Sequence, residues 1–234
     1  MEQRLALLAA DFAALYREVM KRHLLTPHGL TVDAFQAVFD QTHTEYLHYA
    51  GSSPTRPYHR DVVESVLQLA AAYLSLPPEA SPHGRVFGMC LVFFLYATQP
   101  AIETEPVKVR VPLGTLQNYV EDAAPQQSVT ATPRTVSSTQ LRRRVTDVER
   151  RMLLALHQAG AWHVVPFDDV SVYVRTLLQV HEAEGVPLVT STTVGHQQQP
   201  AKNALGNDAT LSQKLEAYDS LKQRLGLGTA LSWR

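Results

Sequence analysis

The sequence predicts an all-α protein: a multi-helix bundle or superhelix followed by a separate C-terminal docking helix. Three observations point there. Apolar residues recur at spacings of three and four through most of residues 1–185, which gathers them on single helix faces. Gly and Pro clusters punctuate these runs at helix-length intervals. Period-two alternation, the mark of a strand, shows only at Val107, Lys108, Val109, Arg110 and Val111.

Leu5, Leu8, Phe12, Leu15 and Val19 define the first helix. Thr31 is the expected N-cap of a second, which turns Ala34, Phe35, Val38 and Phe39 toward a core. Residues 51–57 form a loop, because two prolines and a glycine do not fit a helix interior. Asp61 is the expected cap of a third helix. Its apolar residues, from Val62 to Leu74, crowd more than one face and predict deep burial. The most apolar helix follows over residues 85–97 and pairs with it. Residues 107–111 read as an extended segment laid against helices, since no second strand stands nearby. Residues 113–122 are helical. Residues 126–139, rich in Ser, Thr, Pro and Gln, are expected to be a mobile loop. Helices follow over residues 140–158, with Gly160 as C-cap, and 167–184, with 162–166 extended between them.

Residues 1–185 therefore make a helical core domain, 186–207 a linker, and 208–234 a partner-binding helix. Leu211, Leu215, Tyr218 and Leu225 give that last helix an apolar stripe. Roughly two heptads are too short to hold a helix in water without a partner surface.

Composition excludes several classes. The chain has 234 residues, is 45% hydrophobic, and has one cysteine, so it buries a core without disulfides or a cysteine-based zinc site. The longest apolar stretch, residues 86–97, falls short of the roughly 20 residues that cross a bilayer. No membrane association and no targeting segment is expected. Nucleotide-binding glycine motifs, serine-hydrolase elbows and zinc-protease spacings are absent. No catalytic residue, metal or cofactor is predicted. The ten histidines read as structural, and Cys90 as an inert core thiol.

Charge is uneven. Residues 1–125 carry 9 Lys/Arg against 13 Asp/Glu, while residues 134–151 carry 6 Arg against 2 acids. Arg134, Arg142, Arg143, Arg144, Arg150 and Arg151 form that basic cluster. Arg56 and Arg60, with His59 around Tyr58, form a smaller one. Such clusters suit a solvated face, an acidic partner subunit, or phosphate contact, which needs guanidiniums but no base-specific geometry.

RVFGMCLVFFLYATQ followed by EPVKVRVPLGTLQNYVEDA resembles subunit 1 of the small nuclear RNA-activating protein complex, SNAPc. Arg85 opens the apolar helix, residues 96–99 end it with the family's Tyr-x-Thr-Gln type of tetrapeptide, and residues 108–111 supply the basic-alternating segment. Tyr73 upstream, and His163 and Pro166 downstream, fit the same order over residues 8–173; residues 125–140 look like an insertion. The compact length resembles short kinetoplastid-type members. The resemblance implies a non-enzymatic nuclear scaffold within a promoter-binding complex. Its partners would be the Myb-repeat subunit 4, the zinc-containing subunit 3, promoter DNA in the assembled complex and, indirectly, TATA-binding protein. It would act at proximal sequence elements of small nuclear RNA or spliced-leader RNA genes. The helix order alone also fits a cytosolic adaptor of the ENTH/VHS kind, binding peptides or lipid headgroups.

Overall fold

The first helix, α1 (Glu2–Lys21), turns Leu5, Leu8, Phe12, Leu15 and Val19 inward, none more than 4% exposed. The structure, a computed structural model, describes residues 2–26, 29–100, 102–123 and 145–189. α2 (Val32–Gln41) starts at the expected cap: the Thr31 hydroxyl accepts from Ala34 N–H at 3.1 Å. A 3-10 turn at Thr44–Tyr49 leads to the loop before α3 (Arg60–Ala72). The expected cap there needs correction. His59 holds the N-cap position, and Asp61 lies inside the first turn, where it bonds Arg4 of α1 at 2.9 Å.

α4 (Pro82–Thr98) begins three residues earlier than expected, because Pro82 suits a first helical position. It is buried on nearly every side and packs on α3 and on the 3-10 turn Tyr73–Ser75. Gly88 permits that approach, since a β-carbon there would lie 2.5 Å from Tyr73 Cβ.

After α4 the structure departs from the sequence reading. β1 (Val109–Pro112) and β2 (Trp162–Val165) pair as a parallel two-stranded sheet, with Val109 opposite Trp162 and Arg110 opposite His163. The strand partner was hidden by distance along the chain: parallel strands need a long crossover. Here that crossover holds α5 (Leu113–Ala123) and α6 (Asp147–Gln158). The architecture is otherwise predominantly helical, as expected.

α6 starts at Asp147 behind a capping box in which Thr146 and Glu149 satisfy each other's backbone N–H. Val145 therefore precedes the helix, while Met152 and Leu156 face the core as expected. Gly160 follows the helix end with φ +62, the left-handed conformation expected of it. α7 (Ser171–Ala183) starts later than residue 167, because the Asp169 carboxylate accepts Ser171 N–H at 3.0 Å and holds a turn. α7 packs along α1. Beyond it, Val186 and Leu188, at the start of the expected linker, lie against the core. Among the described residues no helix is long and apolar enough to cross a membrane.

Candidate interaction surface

The predicted basic residues divide by place. Arg134, Arg142, Arg143 and Arg144 lie outside the described residues, as do the predicted mobile loop 126–139 and Leu211, Leu215, Tyr218 and Leu225 of the C-terminal helix. Arg150 and Arg151 lie on α6. Arg150 Nε donates to Ala123 O at 3.0 Å, and its Nη1 binds Asp147. Arg150 therefore ties the end of α5 to the start of α6, while Arg151 stands exposed.

Arg56 and Arg60 come together at the N-terminal end of α3. With Tyr58 and His59 they line a shallow pocket. Arg60 also borders a larger groove of about 680 Å³, formed with Glu64, Gln68, Glu105, Lys108, Arg110 and His163 among its lining. Its charge is largely paired. Arg60 bonds Glu64 at 3.3 Å and Glu105 at 2.9 Å. Arg110 grips Asp168 through two bonds, Nε to Oδ2 at 2.9 Å and Nη2 to Oδ1 at 3.3 Å. This fork fixes the loop after β2 to β1. Gln68 accepts from the Tyr173 hydroxyl at 2.6 Å, which steadies the α3 wall against α7.

Lys108, Arg110 and His163 escaped the list of candidate residues. Their signal was the basic alternation at 107–111, which shows a surface only once β2 supplies the adjoining strand. All three are exposed, and Val109, Val111 and Trp162 are buried.

The interior holds polar groups whose work is structural. Arg85 Nη1 binds Asp122 Oδ2 at 2.9 Å with both side chains under 9% exposed. Its guanidinium carbon sits 4.8 Å from the centre of the Tyr119 ring. The Tyr119 hydroxyl donates to Glu149 at 2.7 Å. This explains an arginine at the head of an apolar helix: α5 and α6 supply its companions. Burial and the neighbouring Glu149 carboxylate push the Tyr119 hydroxyl well above the usual phenol range.

Two histidines are fully buried, as structural residues. His48 Nε2 donates to Leu95 O at 2.9 Å. His181 accepts the Tyr73 hydroxyl proton on Nε2 at 2.6 Å and donates from Nδ1 to Val186 O at 3.2 Å. Burial lowers both to about 4. Cys90 is buried in α4. Among the described residues no group of three His, Cys, Asp or Glu side chains could hold a metal ion.

The fold and this surface define a helical domain with a charged groove beside a short sheet, not an enclosed apolar ligand site. Residues 18–132 match the family model described as small nuclear RNA activating complex (SNAPc), subunit 1. This match supports the SNAPc subunit 1 family, whose members are subunits of a multi-subunit transcription factor. Comparison with curated proteins and with solved structures gives no match. The matched residues contain α2 to α5 with Tyr73, Arg85, Gln99, Lys108 and Val111. His163 and Pro166 of the resemblance lie beyond them.

Proposed function

We propose that this chain is a non-enzymatic scaffold subunit of a nuclear promoter-binding complex of the SNAPc type, acting at proximal sequence elements of small nuclear RNA or spliced-leader RNA genes. Its expected companions are the Myb-repeat subunit 4 and the zinc-containing subunit 3. Promoter DNA is contacted in the assembled complex, and TATA-binding protein is engaged indirectly. The observation that carries the reading is the family match over residues 18–132.

The charge pattern supports a scaffold with supporting DNA contacts, not a chain that reads sequence alone. Arg60, Arg85, Arg110 and Arg150 each have carboxylate partners. Among the described candidates, Arg56 and Arg151 bind no carboxylate and are available to phosphates. In the same reading the C-terminal stripe of Leu211, Leu215, Tyr218 and Leu225 docks on a helix of a neighbouring subunit. The test is purification of the tagged full chain from whole cells with identification of co-purifying chains. Myb-repeat and zinc-containing subunits support the reading. Coat or trafficking proteins would replace it with an ENTH/VHS-like adaptor.

A further inference from the structure

The geometry points to the outer edge of β1 as a docking strand for an extended segment of another polypeptide in the complex, one that sets a single carboxylate against Lys108; this deepens the scaffold reading and rests on it. Val109 N–H donates to Ala161 O at 2.8 Å, so Val109 aims its backbone groups at β2. Val111 follows suit, opposite Val164. Backbone groups alternate along a strand. Those of Lys108 and Arg110 therefore point to the opposite edge, and no hydrogen bond to them is made among the described residues. Two residues spaced by two, each offering an N–H and a C=O, are what an added strand pairs with. Pro112, which has no N–H, closes the far end of this edge.

The side chains suit a peptide with a carboxylate. Arg110 and His163 are register partners, and Lys108 precedes Arg110 by two, so the three share one exposed face of the sheet. Asp168 occupies Arg110, whereas Lys108 has no carboxylate partner among the described residues. The groove of about 680 Å³ beside them is large enough for an extended chain. A nucleic-acid backbone fits it poorly. Its phosphates would set repeated negative charges along a groove whose cations Arg60 and Arg110 are already paired, and the strand edge would stay unpaired. A peptide backbone is neutral, pairs the edge, and sets one acidic side chain against Lys108.

Residue-resolved amide hydrogen exchange on the isolated full chain and on the complex purified from cells tests this. In the isolated chain, the Lys108 and Arg110 amides should exchange freely while Val109 and Val111 are protected. In the complex, Lys108 and Arg110 should slow at least tenfold, and Lys108→Glu should cut recovery of the partner polypeptide severalfold. Fast exchange in an intact complex overturns the docking strand and leaves the scaffold reading standing. Protection already present in the isolated chain means that the chain covers its own edge, which also overturns it. A photo-crosslinker at position 108 that labels promoter DNA instead of protein does the same. If no other polypeptide co-purifies, both readings fall.

Discussion

The Gln99 carboxamide is bonded to both backbone groups of Val107: Oε1 accepts Val107 N–H at 2.7 Å, and Nε2 donates to Val107 O at 3.3 Å. Nε2 also donates to Tyr96 O at 3.0 Å. The side chain is 3% exposed and sits at the end of α4. It stands in for a strand partner just before β1 begins, and so sets the strand's approach to the helical core. Gln99→Ala leaves the Val107 N–H and C=O unpaired in the interior. A buried polar group without a partner costs about 1–3 kcal/mol. Urea unfolding should show a loss in that range or above. Gln99→Glu should not rescue it, because a carboxylate cannot donate to Tyr96 O or Val107 O.

Stability should fall in acid through His48 and His181. Each has a folded pKa lowered by burial from 6.5 to about 4. The unfolded chain therefore binds protons first as pH drops. Their contribution is complete above about pH 6.5 and is lost as pH falls toward 4, at about 3 kcal/mol per histidine when fully titrated. The geometry agrees with the sign. His48 Nδ1 is buried without a hydrogen-bond partner, so a proton placed there has no acceptor. A proton on His181 Nε2 displaces the one donated by Tyr73. Around His181, Arg17 opposes protonation and Glu184 favours it, and burial outweighs both. Thermal melts between pH 7.5 and 5 should show the decline, and His181→Gln, which cannot titrate, should make it shallower.

Two glycine substitutions should act in opposite directions. Gly88→Ala drives a β-carbon to 2.5 Å from Tyr73 Cβ and 3.3 Å from Leu74 N. Neither neighbour is the free end of a flexible chain, so α4 must move off the 3-10 turn. A loss of about 1–3 kcal/mol follows from such overpacking. At Gly114, in the first turn of α5, an added β-carbon meets nothing within 4 Å. Gly114→Ala should raise stability by about 0.5 kcal/mol. Melting curves of the two variants beside the parent chain check both signs.

The Arg85 site supplies a fourth stability test. Breaking a buried ion pair by removing one partner costs about 3–5 kcal/mol. Arg85→Ala removes the Asp122 bond and the contact with the Tyr119 ring together, so its loss should lie in that range. Arg85→Lys should recover only part of it, since an ammonium keeps the charge but not the flat guanidinium placed over the Tyr119 ring. Chemical denaturation of the three chains decides it.

These positions also show how far the sequence could be read. The faces of α1 and α2 were legible because their apolar spacing follows helix geometry and burial obeys it, and α4 was legible from its apolar content alone. Thr31 and Gly160 were legible because capping is a local matter. What escaped was non-local. The β1–β2 sheet joins Val109 to Trp162 across two helices, and neither four-residue strand carries enough pattern alone. Asp61 looked like a cap until Arg4 was seen to claim it. Arg60 read as part of a basic cluster in the sequence, because Glu105, one of its two carboxylate partners, lies 45 residues away along the chain.

The same pairing separates two adjacent arginines on α6. Arg150 holds Ala123 O and Asp147, whereas Arg151 is exposed with no bonded carboxylate among the described residues. Arg150→Glu should therefore loosen the α5–α6 junction and lower the melting temperature, whatever it does to DNA. Arg151→Glu should leave the fold unchanged. With a net charge of −1 and one main basic cluster, the isolated chain should bind duplex DNA weakly, near ~10⁻⁴ M at physiological salt, and without sequence preference. If Arg151 meets a phosphate in the complex, Arg151→Glu should weaken binding equally on all sequences and reduce the salt slope by about one. Fluorescence anisotropy across a salt series reads both quantities. Tight, sequence-selective binding by the isolated chain would contradict the scaffold reading. An unchanged slope in the complex would move Arg151 from a DNA contact to a solvent-facing or protein-facing position.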